Sequence, residues 1–67
     1  MVRGVGERLA TLRYEKGWTQ QKVADAVSVD PSTIARIEHG DQNPSVGLLV
    51  KLADLYGCTL EYLLNGK

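Results

Sequence analysis

The chain has a single cysteine, Cys58, so no internal disulfide can form, and with one histidine, His39, there is no Cys/His cluster at zinc spacing. A thiol-bearing, bridge-free chain fits a reducing compartment, and the cytoplasm is the expected location. No apolar run approaches the roughly 18 residues of a membrane span, and the opening MVRGVGERLA lacks the apolar core of a signal peptide. The expectation is therefore a protein that is neither membrane-spanning nor secreted. Net charge is missing too, with eight Lys and Arg balancing eight Asp and Glu. That neutrality counts against a polyanionic partner held by bulk charge, so the placement of the charges decides. Arg3, Arg8, Arg13, Lys16, Lys22 and Arg36 precede Gly40, while Asp41, Asp54 and Glu61 follow it, so the N-terminal part can present a basic face.

Linkers, low-complexity tracts and internal repeats are also absent. The β-branched residues never alternate as a strand requires. Sixty-seven residues then make one domain, 1–67, near the small end of what folds without metal or disulfides. The fold class is all-α.

What is present is regular punctuation. Helix one is expected from about Val5 to Lys16, with Val5, Leu9 and Leu12 as its buried stripe and Gly17 as its stop. Trp18 precedes Thr19, where an apolar residue can staple the entry of the next helix. Helix two runs from the Thr19 cap to Val27, with Val23, Ala24 and Val27 inward. Asp30-Pro31 opens helix three: a short acceptor for orphan amides, then a proline at the first helical position. Ile34 and Ile37 form its inward stripe and Gly40 ends it. Ser45 caps helix four, which carries Leu48, Leu49, Leu52, Ala53 and Tyr56 and stops at Gly57. Thr59 caps a last short helix with Leu60, Leu63 and Leu64, closed by Asn65-Gly66.

Only Ser28 and Val29 separate helices two and three, so the turn is abrupt and the helices cross steeply. That is the helix-turn-helix arrangement, in which the second helix is presented to a DNA major groove. With Ile34 and Ile37 inward, Ser32, Thr33 and Arg36 fall partly or wholly outward. The guanidinium fork of Arg36 can reach O6 and N7 of a guanine together; a solvated surface arginine or a phosphate contact is the competing account.

The motifs Gly17-Trp18-Thr19-Gln20, Ala24, Ile34-x-x-Ile37-Glu38-x-Gly40, Asn43-Pro44-Ser45 and Leu60-x-x-Leu63-Leu64-x-Gly66 resemble the Cro/repressor (XRE) family of helix-turn-helix domains. The resemblance spans Glu7 to Gly66 and implies a compact five-helix, lambda-repressor-like domain with the helix-turn-helix at helices two and three. It implies base reading by Ser32, Thr33 and Arg36, and phosphate contacts from Thr19, Gln20, Arg13, His39 and Asn43. Gln20 would also brace the start of helix three, and Arg13 would pair with Glu38. Plainer accounts stand beside these: capping for Thr19, a first-turn helix former for Gln20, a threonine covering core for Thr33. The others are independent surface charges for Arg13 and Glu38, a helix-dipole cation for His39 and turn formation for Asn43. Pro31 is read as an N1 residue. Two departures from the family pattern stand out: Ser28 replaces glycine at the turn, and Asp41-Gln42 replaces a basic loop.

Cys58 and His39 have no third orienting group and no oxyanion motif, so no catalytic residue, metal or cofactor is expected and the chain is not read as an enzyme. Cys58 is read as a small core residue, and Tyr14, Trp18, Tyr56 and Tyr62 as packing, with Tyr62 near a dimer contact. The expected function is a sequence-specific transcriptional regulator in the manner of a repressor. It would bind double-stranded DNA at a palindromic operator as a homodimer through the apolar C-terminal helix (Leu60, Tyr62, Leu63, Leu64), with no membrane or small-molecule substrate. The alternative is a protein-interaction module on the same fold, such as an antitoxin-like or anti-regulator subunit.

Overall fold

Each helix starts and stops where a short side chain or a left-handed residue can close it. The computed structural model describes residues 4–66; Arg3, counted above among the basic residues, lies outside them. Five helices follow in order: α1 Val5–Lys16, α2 Gln20–Val27, α3 Pro31–His39, α4 Val46–Tyr56 and α5 Leu60–Asn65. No strand occurs among the described residues. The hydroxyls of Thr19, Ser45 and Thr59 accept from the amides of Lys22, Leu48 and Tyr62, and the Asp30 carboxylate accepts from Ser32 N. Each cap satisfies one of the orphan donors of a helix start, worth about 1 kcal/mol. Helix α1 differs, because Gly4 precedes it without a side-chain cap.

The turn between α2 and α3 ends α2 at Ser28, whose φ of 60° is left-handed. Ser28 is the one non-glycine residue with positive φ among those described. The departure noted in the sequence therefore carries a backbone cost, since the left-handed region disfavours a residue with a Cβ.

The core draws on all five helices: Val5 and Leu9 from α1, Val23, Ala24 and Val27 from α2, and Ile34 and Ile37 from α3. Leu49, Leu52, Ala53 and Tyr56 of α4 and Leu63 of α5 complete it. Burying each large aliphatic side chain contributes about 1.5–3 kcal/mol. Leu12 is only partly buried, at the margin of this cluster. Trp18 stacks on Tyr56 with ring centroids 5.8 Å apart, tying the α1–α2 link to α4. Cys58 packs against the core as expected, and burial pushes its thiol pKa up. Tyr14 does not pack inward: it is 70% exposed, with the Arg13 guanidinium 4.5 Å above its ring. It lies one position past the buried Arg13 on α1, which turns it to the outer face.

Two tertiary contacts fix α1. Gly6 lies against the last turn of α3, so closely that a Cβ there would stand 2.2 Å from the Ile37 carbonyl oxygen and 2.9 Å from that of Glu38. Arg8 reaches the other way: its Nη1 donates to the Leu63 carbonyl at 3.0 Å, near the end of α5. The apolar residues of α5 are thereby largely absorbed by their own chain. Leu63 is fully buried, Leu60 and Tyr62 pack partly against the core, and Leu64 alone stands out at 39% exposure. The surplus expected of this helix is smaller than its sequence implies, because α1 and α4 cover most of it.

Candidate nucleic-acid interface

The edge of α3 that faces the protein is locked by one carboxylate. Glu38, near its end, accepts from Arg13 Nε at 2.8 Å and Arg13 Nη2 at 3.0 Å, a bidentate pair with both side chains more than nine-tenths buried. Arg13 Nη1 donates to the Trp18 carbonyl at 2.9 Å, and Gln20 Nε2 donates to Glu38 Oε1 at 3.1 Å. One acid thus gathers α1, the α1–α2 link, α2 and α3. The bond to Glu38 is the main reason the Arg13 pKa is raised, which holds the guanidinium in its charged form. The expected Arg13–Glu38 pairing is present.

Two details differ from expectation. Gln20 braces the last turn of α3, not the first, because the tight turn lays the end of α3 beside the start of α2. Arg13, expected at a phosphate, commits Nε, Nη1 and Nη2 to protein partners and is 7% exposed, so little of its guanidinium reaches the surface.

The opposite edge of α3 is open. Ser32 and Arg36 are exposed, Thr33 and Pro31 are half-buried, and Ile34 and Ile37 beneath them are each 2% exposed. Ser32 donates its hydroxyl to the Asp30 carboxylate, which also accepts from Ser32 N at 2.9 Å. The hydroxyl bond is the main cause that holds the Asp30 pKa below its ordinary value. Arg36 Nε donates to Gln42 Oε1 at 3.2 Å, across the loop that follows α3. His39 Nδ1 lies 3.1 Å from Asp41 Oδ2, both side chains well exposed. Asn43 is exposed in the same loop. Thr19 and Gln20 sit at the start of α2, where Thr19 Oγ1 accepts from Lys22 N at 3.0 Å while its own hydrogen stays available.

The basic face is narrower than the sequence implies. Arg8 is spent on α5 and Arg13 on Glu38. Lys16 and Lys22 flank the Trp18 ring at 5.8 and 5.6 Å, and with Arg36 they are, among the described residues, the Lys and Arg side chains of the N-terminal part left at the surface. Sequence reasoning overlooked Gln42 and Gly6. The Arg36–Gln42 spacing of six residues has no helical signature, and the Gly6 contact depends on how α1 is placed against α3. Among the described residues no group of His, Cys, Asp and Glu could hold a metal, and no helix is long and apolar enough to cross a membrane.

Comparison with known proteins agrees with this geometry. A helix-turn-helix family model matches residues 9–63. The chain is 41% identical over 59 residues to the transcriptional regulator AnsR of Bacillus subtilis, covering 88% of this chain and 51% of that protein. It is 34% identical over 59 residues to the competence pilus inhibition repressor of Acinetobacter baylyi, covering 88% and 54%. It therefore spans about half the length of these relatives. Among solved structures, the P22 c2 repressor bound to a synthetic operator superposes with a TM-score of 0.90 at 27% identity, covering 94% of this chain and 96% of that one. The restriction-modification controller protein C.AhdI of Aeromonas hydrophila superposes at 0.84 with 31% identity, over 92% and 94%. The chain, an all-α body whose second and third helices meet across the three residues Ser28, Val29 and Asp30, with the third anchored along one edge and open along the other, belongs to the Cro/repressor type of the helix-turn-helix family.

Proposed function

We propose that the protein is a sequence-specific double-stranded DNA-binding transcriptional regulator, acting as a repressor on a two-fold-symmetric operator. One observation carries the reading: α3 keeps Ser32 and Arg36 exposed on an edge that no other described part of the chain covers, while Ile34, Ile37 and Glu38 fix the opposite edge. Such a helix is rigid and free to enter a major groove. Arg36 reads a guanine. Ser32, its hydrogen given to Asp30, offers lone pairs to an amino group of adenine or cytosine, and Thr33 contributes at the margin. Thr19, Gln20, His39 and Asn43 hold phosphates. Gln20 suits that role because Nε2 gives one hydrogen to Glu38 and has a second to donate.

The body measures 26 × 23 × 20 Å. It is too small to reach two half-sites about 34–36 Å apart on one face of the duplex, so a palindromic operator requires two copies. Leu64 of the C-terminal helix, with Val46 and Val50 of α4, supplies exposed apolar surface for that association. The names of the similar proteins, a repressor bound to operator DNA among them, support the same reading.

Selection from random duplexes tests it, and should recover a two-fold-symmetric motif. Arg36→Ala should then lose preference at one base pair per half-site, about 1–3 kcal/mol. With few free cations on the surface of the described residues, the log–log salt slope should be shallow, about −0.9 per phosphate neutralised. Binding without preference among duplexes sinks the sequence-specific reading, and no binding to any duplex favours the protein-interaction module, which zero net charge, Asp41 in the loop and Pro31 on α3 support.

A further inference from the structure

We propose that Gln42, in the loop between α3 and α4, is a positioning residue that dictates how Arg36 meets a base. The inference rests on α3 being the recognition helix. Gln42 Oε1 accepts from Arg36 Nε at 3.2 Å, and both residues are exposed. A guanidinium can address guanine O6 and N7 in two ways: side-on through Nε and one terminal amine, or end-on through Nη1 and Nη2. With Nε engaged by Gln42, the side-on pairing is used up. The end-on fork remains, pointing away from the loop.

The bond also removes torsional freedom from a long side chain before DNA arrives, which lowers the ordering cost of recognition. In the free protein it faces water and is weak; against a duplex, with water excluded, it strengthens. The acceptor's chemistry matters as well. A carboxylate on Nε would offset the charge of Arg36 beside a polyanion, whereas an amide orients the guanidinium and leaves its charge intact. The neighbouring acid, Asp41, is directed instead at His39, 3.1 Å away. Gln42 of this loop, polar where a basic residue is expected, thus serves the reading helix, while Asn43 is left for the DNA backbone.

The test compares wild type, Arg36→Ala, Gln42→Ala and Gln42→Glu. The probes are the selected operator and three duplexes in which the base pair assigned to Arg36 is changed, each titrated with salt. Gln42→Ala should lose about three- to tenfold of the preference for that base pair, with the salt slope as in wild type. Gln42→Glu, which keeps an acceptor, should retain the preference while weakening every duplex. Equal weakening by Gln42→Ala on all four duplexes with a shallower slope would mean a direct phosphate contact and overturns the inference. So does an unchanged preference. If Arg36→Ala relaxes one base pair and Gln42→Ala does not, only the role of Gln42 fails. If Arg36→Ala alters no preference at all, the reading of α3 fails with it. Without DNA, hydrogen exchange at Arg36 Nε–H, followed by NMR, should speed up severalfold in Gln42→Ala and stay slow in Gln42→Glu; equal rates in wild type and Gln42→Ala overturn the inference.

Discussion

Replacing Gly6 by alanine adds one methyl group and, judged by helix propensity alone, should stabilise α1 by about 0.5–1 kcal/mol. The structure reverses the sign. A Cβ at this position would sit 2.2 Å from the Ile37 carbonyl oxygen and 2.9 Å from that of Glu38. Both are backbone atoms of the last turn of α3, so no side chain can swing aside; α1 must lift away from α3. Overpacking of this kind costs about 1–3 kcal/mol, and a full backbone clash belongs at the upper end. Subtracting the propensity gain leaves a net loss of about 1–2 kcal/mol. Gly47 is the matched control. It lies in the first turn of α4, without positive φ, and an added Cβ meets nothing within 4 Å. Gly47→Ala should therefore raise stability by about 0.5 kcal/mol. Thermal unfolding resolves the pair, because 1 kcal/mol moves Tm by about 4–8 °C in a domain of this size. If Gly6→Ala stabilises as much as Gly47→Ala, the close approach of α1 to α3 is wrong, and the anchoring of α3 with it.

Glu38→Ala should cost about 3 kcal/mol in urea unfolding, since it strands a guanidinium that is 7% exposed and also removes the partner of Gln20; a loss under about 1 kcal/mol would mean that the pair is solvated. Tyr56 Oη is buried without a hydrogen-bond partner, so Tyr56→Phe should be neutral or stabilising by up to about 1 kcal/mol. Burial also raises the Tyr56 pKa to about 12. In wild type the unfolded chain ionises first, near pH 10, so stability should be intact below that pH and fall by about 1–2 kcal/mol, allowing for solvent screening, as pH rises toward 12. Tyr56→Phe should flatten that part of the alkaline profile, and an identical slope in both proteins would contradict the assignment. Ser28→Gly should gain about 0.5–1 kcal/mol by relieving the left-handed strain, less the extra freedom of an unfolded glycine; a destabilised variant would show that the Ser28 side chain is needed.

The helix boundaries were legible because the signals that set them are local. Thr19, Asp30, Ser45 and Thr59 sit one residue before their helices and cap them through their own side chains. The inward stripes of α2 and α3 were legible for the same reason: a 3.6-residue period assigns Val23, Val27, Ile34 and Ile37 to one side without knowledge of the partner. What stayed hidden depends on how helices are placed against one another. The exposure of Tyr14, the contact at Gly6 and the capture of Arg8 by Leu63 are settled only when α1 docks on α3 and α5. The charge tally misled for that reason, since two arginines that look available in the sequence are consumed in the fold. In the candidate site, the outward set Ser32, Thr33 and Arg36 followed from the inward isoleucines. The tether from Arg36 to Gln42 could not, because it crosses from a helix into an irregular loop.

The carboxylate of Glu38 has a consequence for how such a domain diversifies. Because one buried acid ties three helices together, the side chains on the far side of α3 contribute little to folding stability. On the proposed reading of α3, Arg36 and its neighbours can then be exchanged for others with a different taste in bases while the body stays folded. Targeting and durability sit on opposite edges of a nine-residue helix, so a new binding preference does not require a new scaffold.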